Sequence, residues 1–291
     1  MKGIILCALS GISFGLAFSI APLTFNDGGS NPIILTFLRN FFALPFLLVM
    51  MFALKVSFKI NKNQLFSLVL LGILGNALTA LMLNVALFYV DVGIVMPLHF
   101  TYPLFVFLGM VIFYKEKINS KNILALFLAM VGVGCFFVSA IGGLSQISSG
   151  ILKGLIIALA SGITYAFYII YMDKCGLKSE NPFKISFYVS VFSGLSIFIY
   201  GSVVNELTFY NLTPKAWILS LLFALLCNVI ALSFLQVGIK YIGANMAAII
   251  TTFEPLTGVI GGVIILGESV TVIKLCACFF ILAGVLILSK K

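Results

Sequence analysis

Ten long apolar runs, separated by short polar connections, constrain the fold of this chain more than any other feature. Most of them are long enough, at about 1.5 Å rise per residue, to cross the roughly 30 Å hydrocarbon core of a bilayer as a helix. The 291 residues are 62% hydrophobic and only 9% charged, whereas about a quarter of a soluble domain is charged. We therefore predict an all-α integral membrane protein with ten transmembrane helices. The runs are 4–23, 33–54, 65–88, 92–113, 123–140, 151–172, 183–204, 216–239, 244–266 and 275–288.

Lysines in the short connections predict the orientation of these helices. With the N-terminus in the cytoplasm, only Lys153, Lys215 and Lys274 fall outside, and all other lysines fall inside. Because basic short loops stay in the cytoplasm, both termini are predicted to be cytoplasmic. The formal net charge of +9 then needs no nucleic-acid partner. We expect a multi-pass protein of the cell (inner or plasma) membrane, surrounded by the lipid bilayer, as a monomer or homodimer.

An internal repeat divides the chain into two halves: a shift of 152 residues aligns residues 76–140 with residues 228 onward without a gap. The front ends match as well, since Ser10-Gly11 pairs with Ser161-Gly162 and Asn31-Pro32 with Asn181-Pro182. Residues 1–141 form the first five-helix repeat, 142–150 a Gly/Ser-rich external connection, and 151–291 the second five-helix repeat. Because five is odd, the second half enters the membrane in the opposite orientation, which predicts inverted-topology repeats. Pairs that coincide under the shift include Asn76 with Asn228, Pro103 with Pro255, and Glu116 with Glu268.

One carboxylate lies in the middle of an apolar run and is the main functional candidate. Glu254 falls near the centre of the predicted ninth helix and is followed directly by Pro255. A charge at the bilayer centre costs about 3 kcal/mol or more, so such a residue normally faces a partner, a cavity or a proton path. Removal from water also favours the protonated carboxyl group. We expect Glu254 to bind substrate or to exchange a proton; the alternative is a structural pair in the core.

Polar and aromatic residues on the same helix faces predict a central cavity around this carboxylate. Such a cavity suits a small solute with an apolar or cationic part, for example an aromatic or aliphatic amino acid or an amine. Arg39 is assigned a structural role, in which it snorkels or bonds helix-end carbonyls. Gly11 and Gly15, and likewise Gly258 and Gly262, have the four-residue spacing of close helix contacts. The predicted substrate-binding residues are Glu254, Tyr102, His99, Thr251, Asn76, Asn228, Tyr165 and Tyr168.

The sequence contains no motif that favours an enzyme. With one histidine and one midspan carboxylate, it has no HExxH, no Ser/His/Asp set and no ATP-binding GxxxxGK[ST]. We predict no cofactor and no metal, so uphill transport would use an ion gradient or the gradient of the solute. A facilitative uniporter or channel stays open as an alternative, and a membrane enzyme or structural subunit is less favoured.

These features resemble the EamA-type branch of the drug/metabolite transporter superfamily. The resemblance rests on ten spans in two halves, on the second helix with Arg39, and on the matching segments 102–116 and 254–268. The second segment ends in Leu-Gly-Glu, the pattern of the family, whereas the first ends in Tyr-Lys-Glu. The resemblance implies secondary transport, frequently efflux, of amino acids or other small metabolites.

Overall fold

The computed structural model describes residues 2–26, 28–90, 92–117, 119–141, 149–266 and 271–289. It is 87% helical, and no strand occurs in these ranges. The all-α class is therefore confirmed. The α-helices are α1 (Lys2–Asn26), α2 (Pro32–Ala53), α3 (Lys62–Leu70), α4 (Leu78–Tyr89), α5 (Val92–His99), α6 (Tyr102–Tyr114), α7 (Ser120–Ile141), α8 (Ser149–Lys174), α9 (Pro182–Val203), α10 (Pro214–Ala224), α11 (Leu232–Ile250), α12 (Phe253–Leu266) and α13 (Val272–Ser289).

Two π-helical segments connect α-helices of the same span. The first π segment, Leu71–Ala77, joins α3 to α4, and the second π segment, Leu225–Ala231, joins α10 to α11. A π segment widens the helix by one residue per turn and often marks a functional site. Each segment contains one of the two asparagines that the repeat aligns, Asn76 in the first and Asn228 in the second. Short 3₁₀ turns occur at Leu177–Ser179 and Phe209–Asn211.

Seven helical stretches of the described chain are long and apolar enough to cross a membrane. Two further helices, Ser120–Cys135 and Val272–Gly284, are apolar but shorter. The chain is thus a multi-pass membrane protein, while the ten-span topology stays a prediction. The seven stretches are Lys2–Phe25, Pro32–Ala53, Lys62–Tyr89, Val95–Tyr114, Ser149–Lys174, Pro182–Val203 and Pro214–Ile250.

The longest of these stretches contains the predicted connection between the eighth and ninth spans. Within α11, Gly243 departs from helical geometry, with φ 77° and ψ 169°. A positive φ of this size favours glycine, which has no Cβ to clash with the backbone. Residues 232–242 and 244–250 are therefore two separate helical segments. Residues 142–148 of the predicted external connection, and 267–268 of the Leu-Gly-Glu pattern, lie outside the described residues.

Helices α2 and α9, which the repeat pairs, begin in the same way. The side-chain oxygen of Asn31 accepts the Ile34 N–H at 2.8 Å, and that of Asn181 accepts the Phe183 N–H at 2.9 Å. Each asparagine is followed by a proline, whose missing N–H costs nothing at the first helical position. An Asn-Pro pair thus caps both helices.

The apolar run 244–266 was expected to form one helix, and Pro255 explains why it does not. Proline has no N–H to bond the carbonyl oxygen of Thr251, four residues earlier. That oxygen instead accepts the N–H of Glu254 at 2.9 Å, and the helix breaks at 251–252. The equivalent proline, Pro103, follows a break at 100–101. Glu254 therefore lies in the first turn of α12 rather than at mid-helix.

Glycines bring neighbouring helices against both breaks. A Cβ added to Gly11 of α1 would lie 2.8 Å from the backbone oxygen of Thr251, and one added to Gly162 of α8 would lie 2.9 Å from that of His99. Under the 152-residue shift His99 coincides with Thr251, so the two glycines make equivalent contacts. The expectation for Gly258 is wrong, because a Cβ there would meet no described atom within 4 Å.

Substitution of Gly11 by alanine is expected to destabilise the protein by about 1–3 kcal/mol, the usual cost of overpacking. The new methyl group would lie 2.8 Å from the Thr251 backbone oxygen and 3.1 Å from the Glu254 backbone nitrogen, so the backbone would have to shift. Thermal unfolding in detergent measures the change. Gly134→Ala is the matched control, because the added Cβ would meet no described atom within 4 Å and alanine favours a helix over glycine by about 1 kcal/mol. Equal effects of the two substitutions would contradict this packing.

Candidate functional site

A small cavity lies at the centre of the helices, with a volume of about 20 Å³. This is room for about one water molecule. Side chains from α1, α2, α4, α5, α8, α11 and α12 line it, together with the first π segment. Its apolar walls include Phe14, Phe18, Leu83 and Leu232. Of the predicted site residues, Glu254, Asn76, His99, Tyr165 and Tyr168 line this cavity.

Glu254 is the acidic residue of the cavity lining. Its side chain is buried, with 2% exposure, and its Oε2 atom has no hydrogen-bond partner in the described part of the chain. A buried carboxylate without a donor is costly, whereas a protonated carboxyl group or one with a bound cation is not. The helix break before α12 places this group on the cavity wall. The site is therefore suited to take up a proton or a cation.

Arg39 of α2 is also buried, with 3% exposure, and also lines the cavity. Its Nε and Nη2 atoms donate to Oδ1 of Asn228 at 3.1 and 2.9 Å, and Nη2 also donates to Oδ1 of Asn76 at 3.2 Å. The expectation that Arg39 snorkels or bonds helix-end carbonyls is wrong. The two asparagines that the repeat aligns instead bind one guanidinium group from opposite π segments.

Asn40 completes this arrangement. The Nδ2 atoms of Asn76 and Asn228 donate to its Oδ1 at 3.0 and 2.8 Å. Each also donates to a serine of α9, Ser193 or Ser190, at 3.1 Å. We call Arg39, Asn40, Asn76 and Asn228 the polar hub. Because every amide in the hub has partners on both sides, the guanidinium orientation is fixed.

Tyrosines form the aromatic part of the site. The ring of Tyr165 meets that of Tyr102 edge-on, with centroids 4.8 Å apart, and stacks against Tyr168 at 6.2 Å. The Tyr165 hydroxyl group has no partner among the described residues, whereas that of Tyr168 accepts from Gln236 Nε2 at 2.9 Å. Tyr165 therefore presents an aromatic edge and a free hydroxyl group at the cavity.

Tyr102 and Thr251 bind each other rather than line the cavity. Their hydroxyl oxygens are 2.7 Å apart. The Thr251 hydroxyl donates to the carbonyl oxygens of Ala247 and Ala248, each at 3.0 Å. Since a hydroxyl group has one hydrogen, Tyr102 is the donor in the pair. This bond joins the start of α6 to the end of α11, next to both helix breaks.

The protonation of His99 follows from its neighbour. Ser161 Oγ donates to the Ala158 carbonyl oxygen at 2.6 Å and lies 2.8 Å from His99 Nδ1. The serine hydrogen is thus already used, so Nδ1 carries a hydrogen and donates to Ser161. In the neutral ring, Nε2 is left as an acceptor, and it makes no hydrogen bond to the described protein. The buried imidazole of His99 therefore lines the cavity and donates from Nδ1 to Ser161.

The comparisons with known proteins agree with a membrane transporter of this shape. A solved crystal structure aligns over 97% of this chain and 96% of its own, with a TM-score of 0.78 and 14% identity, so the likeness concerns the fold alone. The EamA-like transporter family matches residues 1–138 and 152–290. The chain belongs to this family. The resemblance to EamA-type transporters is confirmed, and membership of a transporter family points away from an enzyme.

Relatives of this EamA-like transporter carry the same general description. An uncharacterized transporter of Archaeoglobus fulgidus is 25% identical over 260 residues, 89% of this chain and 87% of its own. An uncharacterized transporter of Synechocystis sp. is 30% identical over 198 residues, 67% of this chain and 57% of its own. A transporter is therefore supported, and no substrate is named for these relatives.

The charged groups of this EamA-like transporter are arranged unusually at the cavity. Arg39 and Glu254 both line it, but no ion pair within 4.0 Å joins them. The ion pairs of the described chain involve Asp173 with Lys174 and Lys178, and Glu180 with Lys184. No group of three or more His, Cys, Asp and Glu residues in the described chain could hold a metal ion.

Asn40 is not among the predicted site residues, although the sequence contains a signal for it. Asn40 follows Arg39 inside an apolar run, where two adjacent polar residues indicate a buried polar contact. Thr79 lines the cavity as well and donates to Thr164 Oγ1 at 2.7 Å. A threonine is common in apolar helices, so no sequence signal distinguishes it. Asn228, in turn, contacts Arg39 behind the cavity lining.

Proposed function

We propose that this EamA-like transporter is a secondary active transporter of a small metabolite, such as an amino acid or an amine. The proposal includes ten spans as two inverted five-helix repeats, alternating access and efflux from the cell. The observation that carries it is the buried carboxyl group of Glu254, which faces the central cavity with an unpartnered oxygen. An ionised carboxylate buried without a donor for this oxygen is costly, so the position suits a group that takes up a proton or a cation.

The size of the cavity supports alternating access. A ligand pocket measures about 300–1,000 Å³, and the cavity here, at about 20 Å³, holds no metabolite. Substrate binding therefore requires the helices around the cavity to separate. The breaks at 100–101 and 251–252, with the two π segments, are places where helices bend without loss of further hydrogen bonds.

Glu254 supplies a means of coupling under this proposal. When the cavity opens to water, the carboxyl group releases its proton and the resulting carboxylate binds a cationic group. Closing the cavity around a bare carboxylate is unfavourable, so the cavity closes only with a proton or a bound cation. Each time the cavity closes, it therefore holds either a proton or the cationic solute. Solute moving in one direction is thus exchanged for protons moving in the other.

Flux in proteoliposomes that contain only this protein tests the proposal. A panel of amino acids, amines, sugars and nucleosides is loaded, and efflux is followed with the external pH equal to or below the internal pH. Because protons and solute move in opposite directions, efflux of an amino acid or amine is expected to be faster at lower external pH. An efflux rate that does not change with the pH gradient would indicate a facilitative uniporter. The absence of flux for every solute of the panel would overturn the transport proposal.

The proposed topology predicts opposite accessibility of two exposed positions. Lys59 lies between α2 and α3, and Tyr210 lies between α9 and α10. With cytoplasmic termini, a single cysteine at position 59 is expected to react only from inside and one at position 210 only from outside. Labelling of intact cells with an impermeant maleimide, in a cysteine-free background, measures this. Labelling of both positions from the same side would contradict the topology.

A further inference from the structure

Arg39 keeps part of its guanidinium group available to the cavity. A guanidinium group has five N–H donors. Nε and Nη2 bind the side-chain oxygens of Asn228 and Asn76, while Nη1 donates to no group in the described chain. The polar hub holds the guanidinium plane, and the ring of Phe223 lies 5.8 Å from its central carbon. A planar fork with fixed orientation and free donors is the geometry that recognises a carboxylate.

The cavity also separates two opposite charges that nothing in the described protein pairs. Arg39 has no carboxylate within the 4.0 Å of an ion pair, and Glu254 Oε2 has no donor. Both side chains line the same small space. A solute with a single charge would pair with only one of the two groups and would lack the charge-assisted contact that the other group offers. A solute with both charges compensates both groups and adds no net charge.

The surfaces beside these two groups are aromatic. Phe14 and Phe18 of α1 line the cavity and stack with centroids 6.2 Å apart, and Phe14 meets the ring of Tyr165 edge-on at 6.3 Å. Aromatic walls bind an apolar side chain and exclude water, which strengthens charge pairing at both ends. The cavity thus has an anion-binding group, a cation-binding group and an apolar surface.

We infer that the substrate is a zwitterionic amino acid, with its carboxylate bound by Arg39 and its ammonium group bound by Glu254. The inference rests on the proposed transport function and narrows it, because it excludes simple amines. As the ammonium group binds, Glu254 has already released its proton to the water that fills the open cavity. An apolar side chain of the amino acid then lies against the phenylalanines of α1.

Probes that share one side chain test the requirement for both charges. Purified protein is assayed for thermal stabilisation by L-phenylalanine, by phenethylamine, which lacks the carboxylate, and by 3-phenylpropionate, which lacks the ammonium group. L-Leucine, 3-methylbutylamine and 4-methylpentanoate form a second set. We expect each singly charged probe to bind at least about 30-fold more weakly than its amino acid, as for loss of one buried charge pair.

The outcomes separate this inference from the transport proposal. An amine that binds and is transported as well as its amino acid would overturn the inference while leaving the proposed function in place. Transport of a sugar or nucleoside from the wider panel, without binding of either amino acid, would overturn it in the same way. If no solute of any class is transported, both fail.

Charge-specific variants distinguish substrate contact from a structural role. Arg39→Lys keeps the positive charge but loses the paired N–H donors of the guanidinium group, so the Kd for L-phenylalanine is expected to rise about tenfold. The Kd for phenethylamine, which has no carboxylate, is expected to stay unchanged. Glu254→Gln is expected to weaken L-phenylalanine and phenethylamine but not 3-phenylpropionate. Lys184→Gln is the matched control, because this buried lysine binds Glu180 and does not line the cavity. Equal weakening of all probes by Arg39→Lys would assign Arg39 to structure and overturn the inference.

Discussion

Substitution of Glu254 by glutamine is expected to abolish the pH dependence of solute flux and to lower efflux by at least about tenfold, equal to about 1.4 kcal/mol. Glutamine keeps the size of the side chain and its capacity for hydrogen bonds, but it exchanges no proton and carries no charge. The buried unpartnered oxygen of Glu254 is then permanently neutral. Initial rates in proteoliposomes, measured at several external pH values with constant internal pH, give both quantities.

Asp173→Asn is the matched control for this variant. Asp173 is a buried acidic residue of α8, but Lys178 and Lys174 bind it at 2.7 and 3.2 Å, and it does not line the cavity. Its substitution is expected to keep the pH dependence of flux, whatever its effect on stability. A Glu254→Gln protein with the flux and pH response of the unmodified protein would place Glu254 among the structural residues.

Removal of one amide from the polar hub is expected to cause the largest loss of stability. Asn228→Ala deprives Arg39 of two hydrogen bonds at 2.9 and 3.1 Å and leaves a buried charge with one weak partner. Hydrogen bonds to charged groups contribute about 1.5–3 kcal/mol, whereas neutral side-chain bonds in membranes average about 0.6 kcal/mol. We therefore expect a loss of about 2–3 kcal/mol in the free energy of unfolding, measured by titration from mild detergent into SDS.

Asn84→Ala provides the comparison for the hub variant. Asn84 is equally buried, yet its Nδ2 has one neutral partner, Thr36 Oγ1 at 2.9 Å, and its Oδ1 has no partner among the described residues. The expected loss is about 0.6 kcal/mol or less, because the substitution also removes an unpartnered acceptor. If the two variants lost the same free energy of unfolding, the contribution of the hub to stability would not depend on the charge of Arg39.

Features that depend on local sequence were predictable. Asn-Pro pairs at Asn31 and Asn181 start helices whatever surrounds them, since the cap and the proline act within one turn. A disturbance of the helix by Pro255 was also predictable, but the sequence did not show whether the helix would bend or break. A proline frees one carbonyl oxygen, and whether the helix bends or breaks depends on what approaches. Here Gly11 lies against the freed oxygen, and no local pattern indicates that contact.

Features that depend on which helices meet were not predictable. Arg39 lies near the start of the apolar run 33–54, where snorkelling is the usual outcome. The sequence does not show that two asparagines from distant spans face it. The 152-residue shift paired Asn76 with Asn228, but it did not show that both asparagines bind the same residue, Arg39. The volume of the cavity likewise depends on helix positions, so the sequence indicated the polar groups at the centre without indicating how small the space between them is.

The most direct test of the account is whether protons move against the solute. Proteoliposomes that contain a pH-sensitive dye are loaded with a transported amino acid or amine and diluted into solute-free buffer of the same pH, with valinomycin and equal potassium holding the membrane potential at zero. If Glu254 exchanges solute for protons, the lumen becomes acidic as the solute leaves, and no acidification occurs with Glu254→Gln. Solute efflux at constant lumenal pH in the unmodified protein would contradict the account.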